Sequence, residues 1–424
     1  MIWFRRILTI PLIIILVVLL IAVLLVTQVN GTVGNPEFYN DQLRRADIYN
    51  FVYDEVLLAA LDELEAGDSS DMPIDLTVIE DEVISAAREI LPPEWLQAQV
   101  ESGSNEIIPY LVCDTDHFAY TLVLKDRVEA ASDVIKDDIL HGQAFDSIYD
   151  DGISYLADEL LGELPEMSKE QLEDELRSLL PQDWVVLQLE AAIDAVVPYM
   201  TGDSSHFTIT IDLEPGYIVD LVLELLGVGE ALTFTDADLV NSLDSEGQQI
   251  LEDVRDWIAS GYCVTETDLR EAISHTDQEL ESFDDVRHWV GTGRTWLWTL
   301  WLIPVILLIA IGFLGGRSWR GRLAWALAAL FIGSLVAYVA TVVTYSSVGE
   351  PQIQELMLNP SEYEGVMAVM AEKGNELIEN AFDSFASSVT SKALYIMIGS
   401  AVPLVGVIGW SLVSQRRKLG KPVA

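Results

Sequence analysis

Long apolar runs alternate along the chain with long stretches that are rich in acidic residues. Residues 7–26 form one apolar run, and residues 295–314, 323–345 and 393–413 form three more that contain no Asp, Glu, Lys, Arg or His. A helix of about 20 apolar residues is long enough to cross a hydrocarbon core of roughly 30 Å. The pattern therefore predicts an integral membrane protein with four transmembrane helices.

The first apolar run also fits the hydrophobic part of a secretory signal peptide. Arg5 and Arg6 precede it, as they would precede either a signal peptide or a membrane anchor. However, the run exceeds the roughly 7–15 residues usual for a signal peptide, and no A-x-A pattern follows it. We therefore expect an uncleaved anchor.

The chain ends and the connection between the second and third spans are purely basic. Residues 1–6, 315–322 and 414–424 contain nine Lys or Arg side chains and no Asp or Glu. The positive-inside rule places such segments in the cytoplasm. It predicts a multi-pass protein of the cell membrane with both termini cytoplasmic, an extracytoplasmic domain over residues 27–294 and an extracytoplasmic helical loop over residues 346–392.

Acidic side chains dominate the predicted exterior. The chain carries 68 acidic and 23 basic residues, a net charge of −45, and residues 31–293 alone hold 60 of the acidic and 11 of the basic ones. A surface this negative repels phosphate polymers, which argues against a nucleic-acid partner. The expected partners are the lipid bilayer and a protein or other ligand on the extracytoplasmic side.

The extracytoplasmic domain contains an internal repeat. Residues 91–124 align with residues 180–213 without a gap, at an offset of 89, and 12 of the 34 positions are identical. Further upstream, Ile48-Tyr49 matches Ile148-Tyr149 at an offset of 100, which implies a deletion of 11 residues. We expect two tandem repeats, over residues 40–139 and 140–225, and then a helical membrane-proximal segment over residues 226–294.

Each repeat has the pattern of about three to four helices and one β-strand, so the predicted domain is mostly α-helical, of the α+β class. One helix carries an apolar stripe that we expect to be buried, made of Leu96, Val100, Gly103, Ile107 and Tyr110. After it, apolar and polar residues alternate as in a half-buried strand. A single strand cannot satisfy its own backbone, so the two strands are expected to pair with each other or with a partner chain.

Two Asp/His pairs are the most site-like residues of the domain. Asp114 and His117 recur at the aligned positions Asp203 and His206, just before each strand. Asp and His three residues apart can share a metal ion or form an acid–base pair. A tight turn inherited by duplication explains them more simply, because Asp caps turns with its side chain and the remaining ligands of a metal site cannot be identified.

Cys113 and Cys263 are the only two cysteines, and both belong to the predicted extracytoplasmic domain. An even number of cysteines in an oxidising compartment permits a disulfide. Two buried free thiols are the alternative. Cys113 aligns with Gly202, so a disulfide would not belong to the ancestral repeat.

The sequence implies no cofactor. It contains no glycine-rich phosphate loop, no G-x-S-x-G elbow and no H-E-x-x-H zinc motif. Divalent cations are expected to bind weakly to so acidic an exterior, without a dedicated site. The spans also lack the ionisable side chains of a proton-coupled transporter.

These features favour a non-enzymatic envelope protein whose acidic, duplicated domain binds a partner or ligand. One alternative is a transport-associated membrane subunit, because one span, a large outer domain and three more spans form a layout similar to that of mechanotransmission ABC permeases. That resemblance is one of layout alone, and no motif supports it. A second alternative is a metal-dependent extracytoplasmic hydrolase that uses the Asp/His turns.

Overall fold

The computed structural model describes residues 2–66, 76–162, 167–211, 233–273 and 277–419, which are mostly helical. The elements up to the first strand are α1 (Ile2–Val33), α2 (Pro36–Arg45), α3 (Ile48–Phe51), α4 (Leu58–Ala66), α5 (Leu76–Ile90), α6 (Pro93–Leu111) and β1 (Ala119–Leu122). The next are α7 (Lys125–Val134), α8 (Gln143–Leu161), α9 (Lys169–Leu179), α10 (Gln182–Met200) and β2 (Thr208–Thr210). Short π-helical segments join α3 to α4 and extend α7.

The remaining elements begin with a strand and end with the longest helix. They are β3 (Thr233–Thr235), α11 (Asp236–Ser242), α12 (Ser245–Ser260), β4 (Tyr262–Thr265), α13 (Glu266–Ile273), α14 (Asp277–Leu300), α15 (Leu302–Gly315), α16 (Trp319–Thr344), α17 (Glu350–Leu356) and α18 (Gly365–Leu419).

Four long apolar helical segments could cross a membrane, which confirms the prediction of four spans. They cover Thr9–Thr32, Trp296–Gly315, Trp319–Ser347 and Gly365–Trp410. Side chains from α1, α15, α16 and α18 bury one another in two apolar clusters, which include Leu16, Leu20, Leu24, Ile311, Ala329, Ala337 and Ala393. Close packing of this kind, rather than exclusion of water, associates helices in lipid.

The second and third spans form a tight hairpin. Gly316 follows α15, and a Cβ atom placed on it would lie only 2.1 Å from the backbone nitrogen of Arg322. The Ser318 hydroxyl then caps α16 by accepting the Gly321 N–H at 3.2 Å. The short connection is possible because Gly316, which meets the start of α16, has no side chain.

The last helix is continuous where the sequence predicted a loop followed by a span. α18 contains 55 residues, so it is about 80 Å long at 1.5 Å per residue, far more than a bilayer requires. We call the part of the chain between the first and second spans the large domain. The first half of α18 contacts α2 and α4 of this domain, and Lys373 lies 5.1 Å from the centre of the Phe51 ring. Near its middle, the Ser388 hydroxyl donates to Gln28 Oε1 of α1 at 2.9 Å. The first half of α18 thus packs against the large domain, while its middle is bonded to the first span.

The aligned residues of the two repeats have the same local structure. α6 and α10 begin and end 89 residues apart, and β1 and β2 begin at the same offset. Pro109 and Pro198 lie at equivalent positions in the last turn of these helices. The left-handed residue after each helix is also equivalent, since Cys113 has φ 58° and Gly202 has φ 79°.

The upstream alignment at an offset of 100 is wrong. Tyr53 and Tyr149 are equivalent, at an offset of 96, because each donates its hydroxyl to the carbonyl of the leucine that begins the gapless alignment, Leu91 or Leu180. Each ring also lies beneath an equivalent arginine, with Arg88 5.5 Å and Arg177 5.7 Å from the ring centres. The two copies therefore differ by 7 residues between these helices rather than by 11.

The predicted pairing of the two strands with each other is also wrong. β1 pairs antiparallel with β4, so that Ala119 faces Thr265, and β2 pairs antiparallel with β3, so that Thr208 faces Thr235. Both partner strands come from the segment over residues 226–294, which was expected to be mostly helical. Strands of three and four residues are too short to show alternation in the sequence.

The segment after β2 also contains a repeat. The strand pairing is nested, because β2 and β3 pair with each other inside the stretch of chain that joins β1 to β4. Thr235 and Thr265 each begin a helix by bonding to the aspartate three residues on, with Oγ–Oδ2 distances of 2.6 and 2.7 Å. We call α6, β1, β4, α13 and α14 the first module, and α10, β2, β3, α11 and α12 the second module. The second module thus lies, in sequence, inside the first.

Candidate ligand groove

An open apolar groove of about 910 Å³ lies in the first module. α6 forms one wall, α14 the other, and the β1–β4 sheet lies between them. Its apolar lining includes Leu96, Val100, Ile107, Leu111, Tyr120, Leu122, Val264, Phe283, Val286 and Val290. Its volume is within the range of roughly 300–1,000 Å³ that is typical of ligand pockets.

The α6 wall is the stripe that the sequence predicted to be buried. Val100 is 42% exposed, and Leu96 and Ile107 are only partly buried. Gly103 also lines the groove, and a Cβ at this position would make an ordinary contact with the Tyr120 ring at 3.7 Å. The periodicity correctly identified one apolar face: Gly103 and Tyr110 are buried as predicted, whereas Leu96, Val100 and Ile107 line a groove that no described residue fills.

The α14 wall is positioned by Arg287. Phe283, Val286 and Val290 recur every three or four residues, so they share one face of the helix. Arg287 turns toward α6, where its guanidinium carbon lies 3.7 Å from the centre of the Tyr110 ring and its Nε donates to the Tyr110 carbonyl at 3.0 Å. Its side chain is 12% exposed. The charge is therefore used to join two helices instead of facing a ligand.

Polar atoms in the groove wall bond to neighbouring protein atoms. The Tyr120 hydroxyl donates to Gln99 Oε1 at 2.9 Å, and the Ser104 hydroxyl donates to Asn40 Oδ1 at 2.6 Å. Burial raises the pKa of Tyr120, which keeps this hydroxyl protonated and able to donate. The wall consequently offers a ligand mainly carbon surface.

A second apolar pocket, of about 370 Å³, lies below the groove. It shares Val112 and Val290 with the groove. Its other lining residues belong to the ends of two candidate spans or flank them, and they include Val26, Val29, Asn30, Gly293, Arg294, Trp296, Leu297 and Leu300. Apolar surface thus continues from the spans into the large domain.

Ion pairs hold the helices around the groove. Arg270 of α13 binds Asp284 of α14 with both nitrogens, at 2.8 and 2.6 Å, and this pair lowers the pKa of Asp284. On the other side, Arg44 of α2 donates to Glu101 of α6 at 2.7 Å and lowers the pKa of Glu101. Both carboxylates are therefore ionised well below neutral pH.

In the structure, the Asp and the His of the first repeat contact different residues. Asp114 lies 2.7 Å from Arg294, whereas His117 Nδ1 lies 2.7 Å from Glu266. The His117 contact is the main reason that the pKa of Glu266 is lowered. The His117 side chain is 82% exposed, so it lies on the surface of the turn.

The second repeat gives a similar result with other partners. Asp203 binds Lys125 at 2.7 Å, which lowers the pKa of Asp203, and His206 Nδ1 lies 3.0 Å from the Ser205 hydroxyl. Within the described ranges, no three His, Cys, Asp or Glu side chains gather as a metal site would require. The metal and hydrolase hypotheses stay predictions for which the described residues supply no further ligand.

Cys113 and Cys263 are exposed free thiols in the structure. This arrangement differs both from the disulfide that the sequence permits and from the alternative of two buried thiols. Cys113 occupies the left-handed position after α6, directly against Gly291 of α14, while Cys263 belongs to β4 opposite Thr121.

The α14 wall was missed at the sequence level, although a signal was present. Asp253-Val254-Arg255 and Trp257 recur as Asp285-Val286-Arg287 and Trp289. Arg255 makes the same contact in the second module, 3.6 Å from the centre of the Tyr199 ring and 3.0 Å from its carbonyl. This repeat within residues 226–294 indicates that α12 and α14 are equivalent helices, although it does not identify the helix on which each one packs.

Comparison of the chain with protein-family models, curated proteins and solved structures found no match.

Proposed function

We propose that this is a multi-pass membrane protein whose acidic, duplicated extracytoplasmic domain binds an apolar ligand or partner segment without catalysing a reaction. The observation that carries the proposal is the groove between α6 and α14. Outside the candidate spans, an open carbon-lined surface of this size is unusual on a domain whose residues 31–293 carry 60 acidic and 11 basic side chains. A binding site for an apolar ligand requires such an exposed carbon surface.

The charge distribution supports the orientation. Nine basic and no acidic side chains occupy the predicted cytoplasmic segments, while the large domain carries most of the acids. Trp296, Trp298 and Trp301 lie at the end of the second span that adjoins the large domain, where interfacial aromatics belong. The groove then faces the extracytoplasmic side, close to the bilayer.

The equivalent contacts support the duplication. Arg287 on Tyr110 and Arg255 on Tyr199 repeat one helix-to-helix clamp, and the two sheets have the same register. A duplication in which the second module is inserted within the first accounts for the nested order. Two modules built alike can also diverge, so that the first keeps a binding groove.

Photolabelling of the full-length chain in lipid nanodiscs tests the proposal. A small, neutral aryl diazirine should label residues of the groove as well as the spans. Val100→Glu combined with Val286→Glu places charge on two lining side chains that are 42% and 62% exposed, so folding should be retained. We expect this variant to lose the groove adducts and to keep those of the spans.

Val123→Glu is the matched control. Val123 is 51% exposed in the same domain and lies outside both lining sets. This variant should label like the parent protein. Absence of adducts above the spans in the parent protein, or equal labelling of the double variant, would refute the proposed binding function.

A transport-associated subunit is the second candidate. It is favoured by the layout of one candidate span, a large domain and three further spans, which the structure retains. Affinity purification of the tagged full-length protein from its native membrane distinguishes the two. Stoichiometric recovery of a nucleotide-binding subunit favours transport, whereas purification without one favours the binding protein.

A further inference from the structure

We infer that the occupant of the groove is an acyl chain of a bilayer phospholipid, which enters from the membrane through the pocket below. This inference rests on the proposed binding function of the groove. It adds the chemical class of the ligand and the direction from which it arrives.

The lower pocket overlaps the membrane-spanning segments. Val26 and Val29 fall within the first candidate span, and Trp296, Leu297 and Leu300 fall within the second. Val26 and Val29 are 42% and 47% exposed. An apolar concavity at the outer ends of two candidate spans lies where lipid chains reach the membrane interface.

One stripe of α14 connects this pocket to the groove. Its members lie three or four residues apart and therefore on one helix face; they are Phe283, Val286, Val290, Gly293, Leu297 and Leu300. The stripe extends from Phe283 to Leu300 and rises about 25 Å along the helix at 1.5 Å per residue. A long, unbranched apolar chain matches this narrow and continuous surface better than a compact ligand does.

Gly293 keeps the middle of the stripe open. A Cβ placed on Gly293 would meet no heavy atom within 4 Å, and the residue lines the lower pocket. Glycine in a helix interior costs about 1 kcal/mol relative to alanine. The space beside Gly293 is open, and this residue lies on the stripe between the groove lining at Val290 and the lower-pocket lining at Leu297, so a large side chain would fit there without displacing the backbone.

The charge of the domain favours a lipid with no net charge. Residues 31–293 carry 60 acidic and 11 basic side chains, which disfavours anionic headgroups near the groove. A zwitterionic phospholipid avoids this repulsion. Phosphatidylcholine is therefore the probe for the test.

The experiment uses the full-length chain in phosphatidylcholine nanodiscs that contain a minor fraction of phosphatidylcholine with a diazirine at the end of one acyl chain. After illumination, adducts are mapped by peptide mass spectrometry. We expect adducts on α6 and on the Phe283 to Val290 part of α14, in addition to the spans. Adducts that are restricted to the four spans in the parent protein would overturn the inference.

Gly293→Phe is the decisive variant, because it places a ring on the stripe between the lower pocket and the groove and changes no residue that lines the groove. We expect its lipid adducts in the groove to fall by roughly tenfold, the effect of a loss of about 1.4 kcal/mol in affinity. Gly152→Phe is the control, since a side chain at this glycine of α8 also meets nothing within 4 Å. Unchanged groove adducts in Gly293→Phe would contradict entry from the bilayer.

The small, neutral aryl diazirine distinguishes a failure of the lipid inference from a failure of the proposed binding function. If it labels the groove while the lipid diazirine does not, the groove binds apolar molecules but the lipid inference fails. If neither reagent labels the groove, the proposed binding function fails as well. Crosslinks between the groove and another protein, or a second copy of the chain, would also overturn the lipid inference.

Discussion

Arg287 lies 3.7 Å from the centre of the Tyr110 ring and donates from Nε to the carbonyl oxygen of the same residue at 3.0 Å. One guanidinium thereby fixes α14 to α6 through both a ring face and a backbone acceptor. Because these helices are the two walls of the groove, this contact sets the distance between them. Arg255 and Tyr199 form the same clamp in the second module.

Removal of this clamp should loosen the first module. A largely desolvated cation–π contact contributes about 2 kcal/mol, and a hydrogen bond from a charged donor about 1.5–3 kcal/mol. We expect Arg287→Ala to destabilise the α6–α14 contact by about 2–4 kcal/mol, seen as faster hydrogen exchange at the α14 amides.

Arg287→Lys should restore little of this protection, because an ammonium group cannot reproduce the planar stacking and the directed bond. Arg255→Ala is the matched variant and should accelerate exchange in α12 instead of α14. If exchange in α14 is the same in Arg287→Ala and the parent protein, the clamp does not hold the groove wall.

The hairpin of the second and third spans depends on Gly316. A Cβ at this position would lie 2.1 Å from the Arg322 nitrogen, so the two helices must separate to accept it. Overpacking typically costs about 1–3 kcal/mol, and here it falls on backbone that cannot move aside. We expect Gly316→Ala to lower the thermal unfolding midpoint of the detergent-solubilised protein, while Gly399→Ala, which meets nothing within 4 Å, should leave it unchanged. Equal midpoints would show that the hairpin is looser than described.

The two thiols should be reactive from the extracytoplasmic side. Cys113 and Cys263 are exposed and free. A membrane-impermeant maleimide, applied to intact cells without reductant, should add two labels to each chain. If labelling requires prior reduction, the two cysteines form a disulfide and the prediction of free thiols is wrong. Labelling that requires permeabilisation would contradict the orientation.

The Arg270–Asp284 pair should make stability depend on pH in the acid range. Because Arg270 lowers the pKa of Asp284 in the folded protein, the pair stabilises the fold above the unfolded aspartate pKa of about 3.9. This contribution is lost as the pH falls through the lowered folded value. We expect Asp284→Asn to unfold more easily at pH 7 and to differ progressively less from the parent protein below about pH 4.

The comparison must be made between variant and parent protein at each pH. Protonation of the many other carboxylates reduces repulsion across the acidic domain and acts in the opposite direction. Unfolding midpoints that differ by the same amount at pH 7 and pH 3 would exclude a contribution from this ion pair.

The sequence predicted the spans and the long helices well, because their signals extend over many residues. Apolar runs of 20 or more residues identify membrane helices regardless of neighbours. Twelve identities in 34 positions likewise predicted equivalent helices, and α6 and α10 begin and end at the same offset.

What the sequence did not predict depends on contacts between distant segments. β3 and β4 are too short to show alternation, so the partners of β1 and β2 were not identified. The stripe through Val100 and Ile107 marked an apolar face, but periodicity does not tell whether another element covers that face. The groove becomes evident only when α14 is seen beside α6, about 180 residues further along the chain.

A density map of the full-length protein in phosphatidylcholine nanodiscs, obtained by electron cryomicroscopy at side-chain resolution, tests the central claim most directly. The account predicts an open groove between α6 and α14 that contains elongated density not belonging to the chain, continuous past Val290 toward Leu297. A groove filled by side chains of the protein itself, or α14 packed directly on the Val100 face of α6, would contradict it.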